Sequence, residues 1–94
     1  MLIVMATIRA QEAHAEAVNE VMVKLAVTSR IEQGCTSYRV FRGQQDRAVF
    51  TTFEQWVSSD AETKHMASAH VAEAFKAAGP LLAEAPQIRH FDEL

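Results

Sequence analysis

The groups in this 94-residue chain best suited to chemistry are a pair of histidines, an acid and three aromatics. His65 and His70 fall in one stretch, His65-Met66-Ala67-Ser68-Ala69-His70. A neutral imidazole both gives and takes a proton near pH 7, so either ring suits general acid–base work. On a continuous helix, five positions turn the chain by about 140°. That spacing is poor for a shared metal ion, which prefers i, i+3 or i+4, and no metal site is expected. A helix break near Ser68 would bring the rings together. His70 is then expected in a pocket as hydrogen-bond donor or proton shuttle, or else as a residue that pins the break; His65 carries the same two readings. Tyr38 suits donation of its phenol proton to a substrate oxygen, and equally a sheet position with its hydroxyl in water. Trp56 offers a flat face and an N–H to an aromatic ligand, or anchors a core or interface. Glu54, two residues earlier on the same strand face, needs a partner among apolar neighbours. A salt bridge across a dimer to Arg39 or Arg9 is the expected one, with a role as base the alternative. Phe75 is expected on the wall of a cavity and Phe50 in the core. Cys35 has no base beside it and reads as a small packed residue. The candidate catalytic residues are thus His70, His65 and Tyr38, and the candidate substrate-binding residues Trp56, Phe75 and Glu54.

Composition removes several function classes. Nine Lys+Arg against twelve Asp+Glu give a net charge of −3, and the arginines are scattered. Phosphate neutralisation needs clustered cations, so nucleic acid is not an expected partner. No apolar run approaches the ~20 residues that cross a bilayer. The N-terminal Met1-Leu2-Ile3-Val4 lacks the basic leader of a signal peptide. The single Cys35 cannot form an internal disulfide, so a cytoplasmic location is expected. No Gly-rich phosphate loop is present, and no nucleotide or flavin cofactor is expected.

These candidates need elements to carry them. Leu2 to Arg9 is short and β-branched, which predicts a strand. From Gln11 to Gln33 the period changes: Val18, Val21, Met22, Leu25 and Ser29 fall on one helical face. Val23 and Val27 lie on the far side, and Gly34 reads as the C-terminal stop. Cys35 to Arg42 is the second strand, and Gly43 to Arg47 a hairpin link. Ala48 to Val57 is the third strand. Ser59 with Glu62 forms a capping box that opens a second helical stretch. That stretch is broken or bent near Ser68–His70 and stopped by Gly79-Pro80. Gln87 to Asp92 is a last, edge strand. The order β-α-β-β-α-β predicts a ferredoxin-like α+β domain, a four-stranded antiparallel sheet with its helices on one face. Strand one is apolar on both faces, which calls for cover on the open side. A two-fold homodimer provides it most simply, and matters for so small a core.

Three motifs then carry a resemblance. Glu32-Gln33-Gly34-Cys35-Thr36-Ser37-Tyr38 resembles the E-x-G-C-x-x-Y junction of the antibiotic biosynthesis monooxygenase family. Glu54-Gln55-Trp56 resembles its E-x-W signature, and His65 to His70 followed by Phe75 its H-x-x-[ST]-x-H…F helix. The motifs are in order along essentially the whole chain. The resemblance implies a ferredoxin-like subunit whose sheets pair into a dimeric α/β barrel. Its members include cofactor-independent oxygenases of quinols and aromatic polyketides, haem-degrading enzymes and an isomerase of a phosphorylated signalling sugar. The haem branch carries an axial histidine where this chain has Ala77-Ala78-Gly79, and a first-strand asparagine where it has Ile8. Haem degradation is therefore not expected.

The functional expectation is a cofactor-free monooxygenase acting on a small aromatic or quinol between helices and sheet. A non-catalytic or ligand-sensing dimer is the alternative. An isomerase of a small phosphorylated sugar is a third, weakened by the lack of an arginine cluster. A cavity of a few hundred Å3 with His70 and Tyr38 pointing in would favour the enzyme. A cavity filled by Phe50, Met66 and Phe75 would favour ligand sensing.

Overall fold

Apolar alternation, helical period and turn residues all resolve as elements in the computed structural model, which describes Met1–Leu94. Strand β1 is Leu2–Arg9, followed by a short 3-10 turn at Glu12–His14 and helix α1, Ala15–Arg30. Strands β2 (Cys35–Arg42) and β3 (Val49–Trp56) form a hairpin. Helices α2 (Ser59–Met66) and α3 (Ala69–Ala78) follow, then a second 3-10 turn at Gly79–Leu81 and strand β4, Gln87–Asp92. The sheet is antiparallel in the order β2-β3-β1-β4, the ferredoxin-like arrangement. No helix is long and apolar enough to cross a membrane.

Strand alternation decides what faces the helices. Val4, Ala6 and Ile8 of β1, and Phe50, Thr52, Glu54 and Trp56 of β3, are buried on the inward face. From α1, Val18, Met22 and Ala26 complete the packing. Val23 and Val27 are exposed, as their position on the helix requires. The outward face of the sheet keeps Met5, Phe41 and Phe91 exposed.

Several boundaries differ from the sequence reading: α1 ends at Arg30, not Gln33, and β3 is one residue shorter at each end than Ala48 to Val57. The helix predicted from Gln11 begins with a 3-10 turn and becomes α-helical only at Ala15. The cap of α2 is Ser58, whose hydroxyl accepts from the Ala61 N–H, not Ser59 with Glu62. Either serine can serve as a cap; Ser58 is the one whose backbone is extended.

Candidate active site

Glu54 and Trp56 share the inward face of β3 with Thr52, because every second residue of a strand points the same way. Trp56 Nε1 donates to Glu54 Oε1 at 3.1 Å, and the Thr52 hydroxyl donates to Glu54 Oε2 at 2.7 Å. Thr52 in turn accepts the Ala6 N–H at 2.9 Å, so a side chain replaces a ladder bond in mid-sheet. Within its own chain Glu54 meets neither Arg9 nor Arg39. Arg9 pairs with Asp46 and Glu84 on the surface, and Arg39 lies on the opposite sheet face over Phe41. Burial pushes the Glu54 carboxyl above its ordinary range, and the bonds from Thr52 and Trp56 only partly offset this.

Tyr38 sits directly across from Glu54 on β2, after an irregularity in register between Cys35 and Ser37. It is almost fully buried, and burial, reinforced by the Glu54 charge, drives its phenol well above the usual range. Tyr38 therefore stays protonated and acts as a donor. Its hydroxyl has no partner within the protein and is not sealed in the core.

His65 comes from the last turn of α2 and is only 3% exposed. Its ring packs over Trp56, with centroids 4.6 Å apart, and against Tyr38 at 5.4 Å. Nδ1 lies 2.5 Å from Glu32 Oε2. A neutral His65 that donates to a Glu32 carboxylate here carries its proton on Nδ1 and leaves Nε2 with a free lone pair.

The helix does break where the sequence suggested. Ala67 ends α2 and Ser68 starts α3, its hydroxyl accepting from the Val71 N–H and donating to the His65 carbonyl. The new helix direction swings His70 back, and its Nε2 lies 2.9 Å from the same Glu32 oxygen. The break thus brings together two rings that a straight helix would keep apart, with centroids 5.8 Å apart.

Glu32 is the functional residue that was missed as a candidate. It occupies the turn between α1 and β2, where its N–H donates to the Ser29 carbonyl and its own carbonyl accepts from Cys35. Gly34 closes that turn at φ 87°, where a side chain is strained. A Cβ there would stand 2.7 Å from Ala61 Cβ, so the turn lies tight against α2. The signal was present: Glu32 opens the E-x-G-C motif, but one residue type in a turn names no partner. Glu32, His65 and His70 form the one group whose ligand atoms converge as metal ligands would. Ligand atoms around a tetrahedral ion with bonds of ~2.0–2.1 Å stand about 3.3 Å apart. The contacts to Glu32 are shorter, direct hydrogen bonds.

A cavity of ≈ 70 Å3 lies between sheet and helices, and 14 of its 19 lining residues are hydrophobic, so its walls repel water. Tyr38, Glu54 and His65 supply its polar wall; Met66 and Phe75, both partly exposed, stand at the helical side. No lysine or arginine lines it. His70 lies outside, in the groove between α1 and α3, and Trp56 stands behind His65 with no exposed surface. Phe75 is on the wall as expected, and Phe50 is in the core.

A ferredoxin-like sheet roofed by three helices over an apolar, histidine-bearing cavity defines a class of small α+β domains. Within it, the family model for antibiotic biosynthesis monooxygenase matches residues 1–77, and the chain belongs to that family. The chain is similar to PA3566 of Pseudomonas aeruginosa, with 30% identity, a TM-score of 0.93, and 99% and 93% of the two chains covered. A solved antibiotic biosynthesis monooxygenase shares the fold with a TM-score of 0.95 and 22% identity, over 100% of this chain and 99% of that one. Rv0793 of Mycobacterium tuberculosis shares it with a TM-score of 0.91 and 22% identity, over 99% and 94%. No curated protein sequence matches the chain.

Proposed function

We propose that the protein is a cofactor-independent monooxygenase of a small aromatic or quinol, working as a homodimer. The observation that carries this is the pairing, on one wall of an apolar cavity, of His65 Nε2 without a protein partner and a Tyr38 hydroxyl likewise free. His65 takes the phenolic proton, and Tyr38 donates a hydrogen bond to the resulting oxyanion. The electron-rich anion then reduces dioxygen. One quinol and one O2 give the hydroxylated quinone and one water, all four electrons coming from the substrate. The dry walls keep the anion from reprotonation by solvent. His65 replaces His70 as the base, because only His65 lines the cavity.

The cavity is smaller than the ~300–1,000 Å3 of drug-sized ligand sites. It is also below the ~150 Å3 that holds benzene and is not lined by His70, so a single ring enters only as the Met66 and Phe75 side chains move. This gives the ligand-sensing reading its one support. Oxygen uptake by metal-free protein on a panel of one- and two-ring quinols distinguishes the two. Turnover that falls ~10²–10⁴-fold in His65→Ala supports the enzyme, the usual range for losing a general base. Saturable quenching of Trp56 fluorescence without oxygen uptake would instead establish a binding protein. The exposed apolar sheet face bearing Met5, Phe41 and Phe91 supports the homodimer.

A further inference from the structure

His65 is useful as a base only if its cavity-facing nitrogen is the unprotonated one. A free neutral histidine prefers its proton on Nε2, which would present an N–H to the cavity and no lone pair. Something must enforce the other tautomer. The ring is held between Trp56 and Tyr38, and its one polar contact within the protein is the Nδ1 bond to Glu32.

We propose that Glu32 is the positioning residue of this site, fixing His65 in its Nδ1–H tautomer and stabilising the imidazolium once Nε2 has taken the substrate proton. The arrangement is that of a carboxylate, an imidazole and a substrate hydroxyl in series, with the carboxylate orienting the base. Only the substrate proton moves: it leaves the hydroxyl oxygen for Nε2, Nδ1 keeps its own, and the new positive charge lies beside the carboxylate. His70 has a supporting part. It donates to the same Oε2 from the solvent side at 2.9 Å, so it restrains the carboxylate without entering the cavity. The placement of all three follows from local structure. The Gly34 turn presses Glu32 towards α2, and the Ser68 cap aims His70 back at it.

A purely structural staple between the α1–β2 turn and the helix break would use the same bonds. It would fix the same tautomer, so turnover tells the two apart: a staple leaves kcat unchanged in a folded Glu32→Gln protein, and a positioning residue does not. The kinetic consequence rests on the proposed monooxygenase reading; the spectroscopic one does not.

The test is a 15N spectrum of protein labelled at its histidines, near neutral pH. The wild type should show His65 Nε2 as a pyridine-type nitrogen and Nδ1 as pyrrole-type. Glu32→Ala should shift His65 toward the Nε2–H form, while His70→Ala should leave it unchanged; His14 is the internal reference in every sample. Glu32→Gln keeps an acceptor oxygen and should keep the tautomer but lose the charge. Against any quinol the wild type turns over, Glu32→Ala and Glu32→Gln should lower kcat ~10²–10⁴-fold with little change in KM. A pyrrole-type Nε2 in the wild type overturns the assignment, and so does a His65 tautomer that ignores Glu32→Ala. If Glu32→Ala does not fold, Glu32→Gln takes its place, and an unchanged kcat in that folded variant overturns the positioning role. An inactive wild type removes the monooxygenase reading and leaves the tautomer result standing.

Discussion

At the residue scale, Glu54 shows how a buried acid is made tolerable without a cation. Both oxygens accept hydrogen bonds, from Trp56 and Thr52, yet burial still pushes its carboxyl above the usual carboxylate range. The sign follows from proton counts. An acid whose folded pKa exceeds its unfolded one binds more protons in the native state across the interval between them. Stability therefore falls as pH rises through that interval and stays lowered above it. In Glu54→Gln the amide oxygen can accept from Trp56 and the amide nitrogen can donate to Thr52. Denaturant melts at pH 4.5 and 7.5 should show the wild type losing stability relative to Glu54→Gln on going to the higher pH. A difference independent of pH would show that the carboxyl is not held up by burial. Ser29 gives a second expectation: its hydroxyl is the one buried side-chain polar atom without a partner. Ser29→Ala removes that unsatisfied group and adds helix propensity. Thermal unfolding should show a gain of about 0.5–1 kcal/mol, and a loss would mean the hydroxyl does find a partner in solution.

Residue types alone identified Tyr38, His65 and Glu54 as polar groups near a cavity, since polar atoms in apolar strands and helices must be accounted for. They favour His70 over His65, whereas only His65 lines the cavity. Which ring reaches the cavity depends on the helix direction after Ser68, a tertiary property. Trp56 suits either a ligand platform or a core anchor, and with no exposed surface it is the anchor. The His65 ring occupies the face a ligand would use.

At the scale of elements, the strands were legible because strand alternation and turn residues are local. Cys35–Arg42 and Gln87–Asp92 match their expected bounds. The α1–β2 turn was legible only in part. Gly34 was read as a helix stop, but its larger role is the close approach to Ala61 and Val57. Gly34→Ala would force a positive φ on a residue with a Cβ and drive that atom into α2. A cost of about 2–4 kcal/mol is expected, combining backbone strain with local overpacking. Because the same turn holds Glu32, the variant should also disturb the His65 ring signals in an NMR spectrum. A neutral substitution would mean that the turn has slack. Ser68→Ala tests the helix break: loss of the cap should cost ~1 kcal/mol, within the ~0.5–2 range for such caps.

At the scale of the whole molecule, the outward face of the sheet raises a problem that one chain does not solve. Strand alternation places Ile3, Met5, Phe53 and Phe91 together on that side, with Ile3 and Phe91 directly paired across β1 and β4. Met5 is 36% exposed and Phe91 41%, near the middle of the sheet and on its edge strand. An antiparallel sheet can face water on one side, but such a face is ordinarily polar. A chain of 94 residues also has little core to lose. Two copies placing these faces together would bury both patches under one two-fold interface. Sedimentation at micromolar concentration should therefore give twice the 10.4 kDa of one chain. Met5→Arg would put a charge at the centre of each buried face, twice per dimer. It should weaken association by at least ~100-fold, the scale of burying an unpaired charge in an interface. A folded 10.4 kDa monomer for the wild type would remove the dimer. A Met5→Arg protein still dimeric at the same concentration would move the interface elsewhere, with the α1–α3 groove beside His70 the next surface to probe.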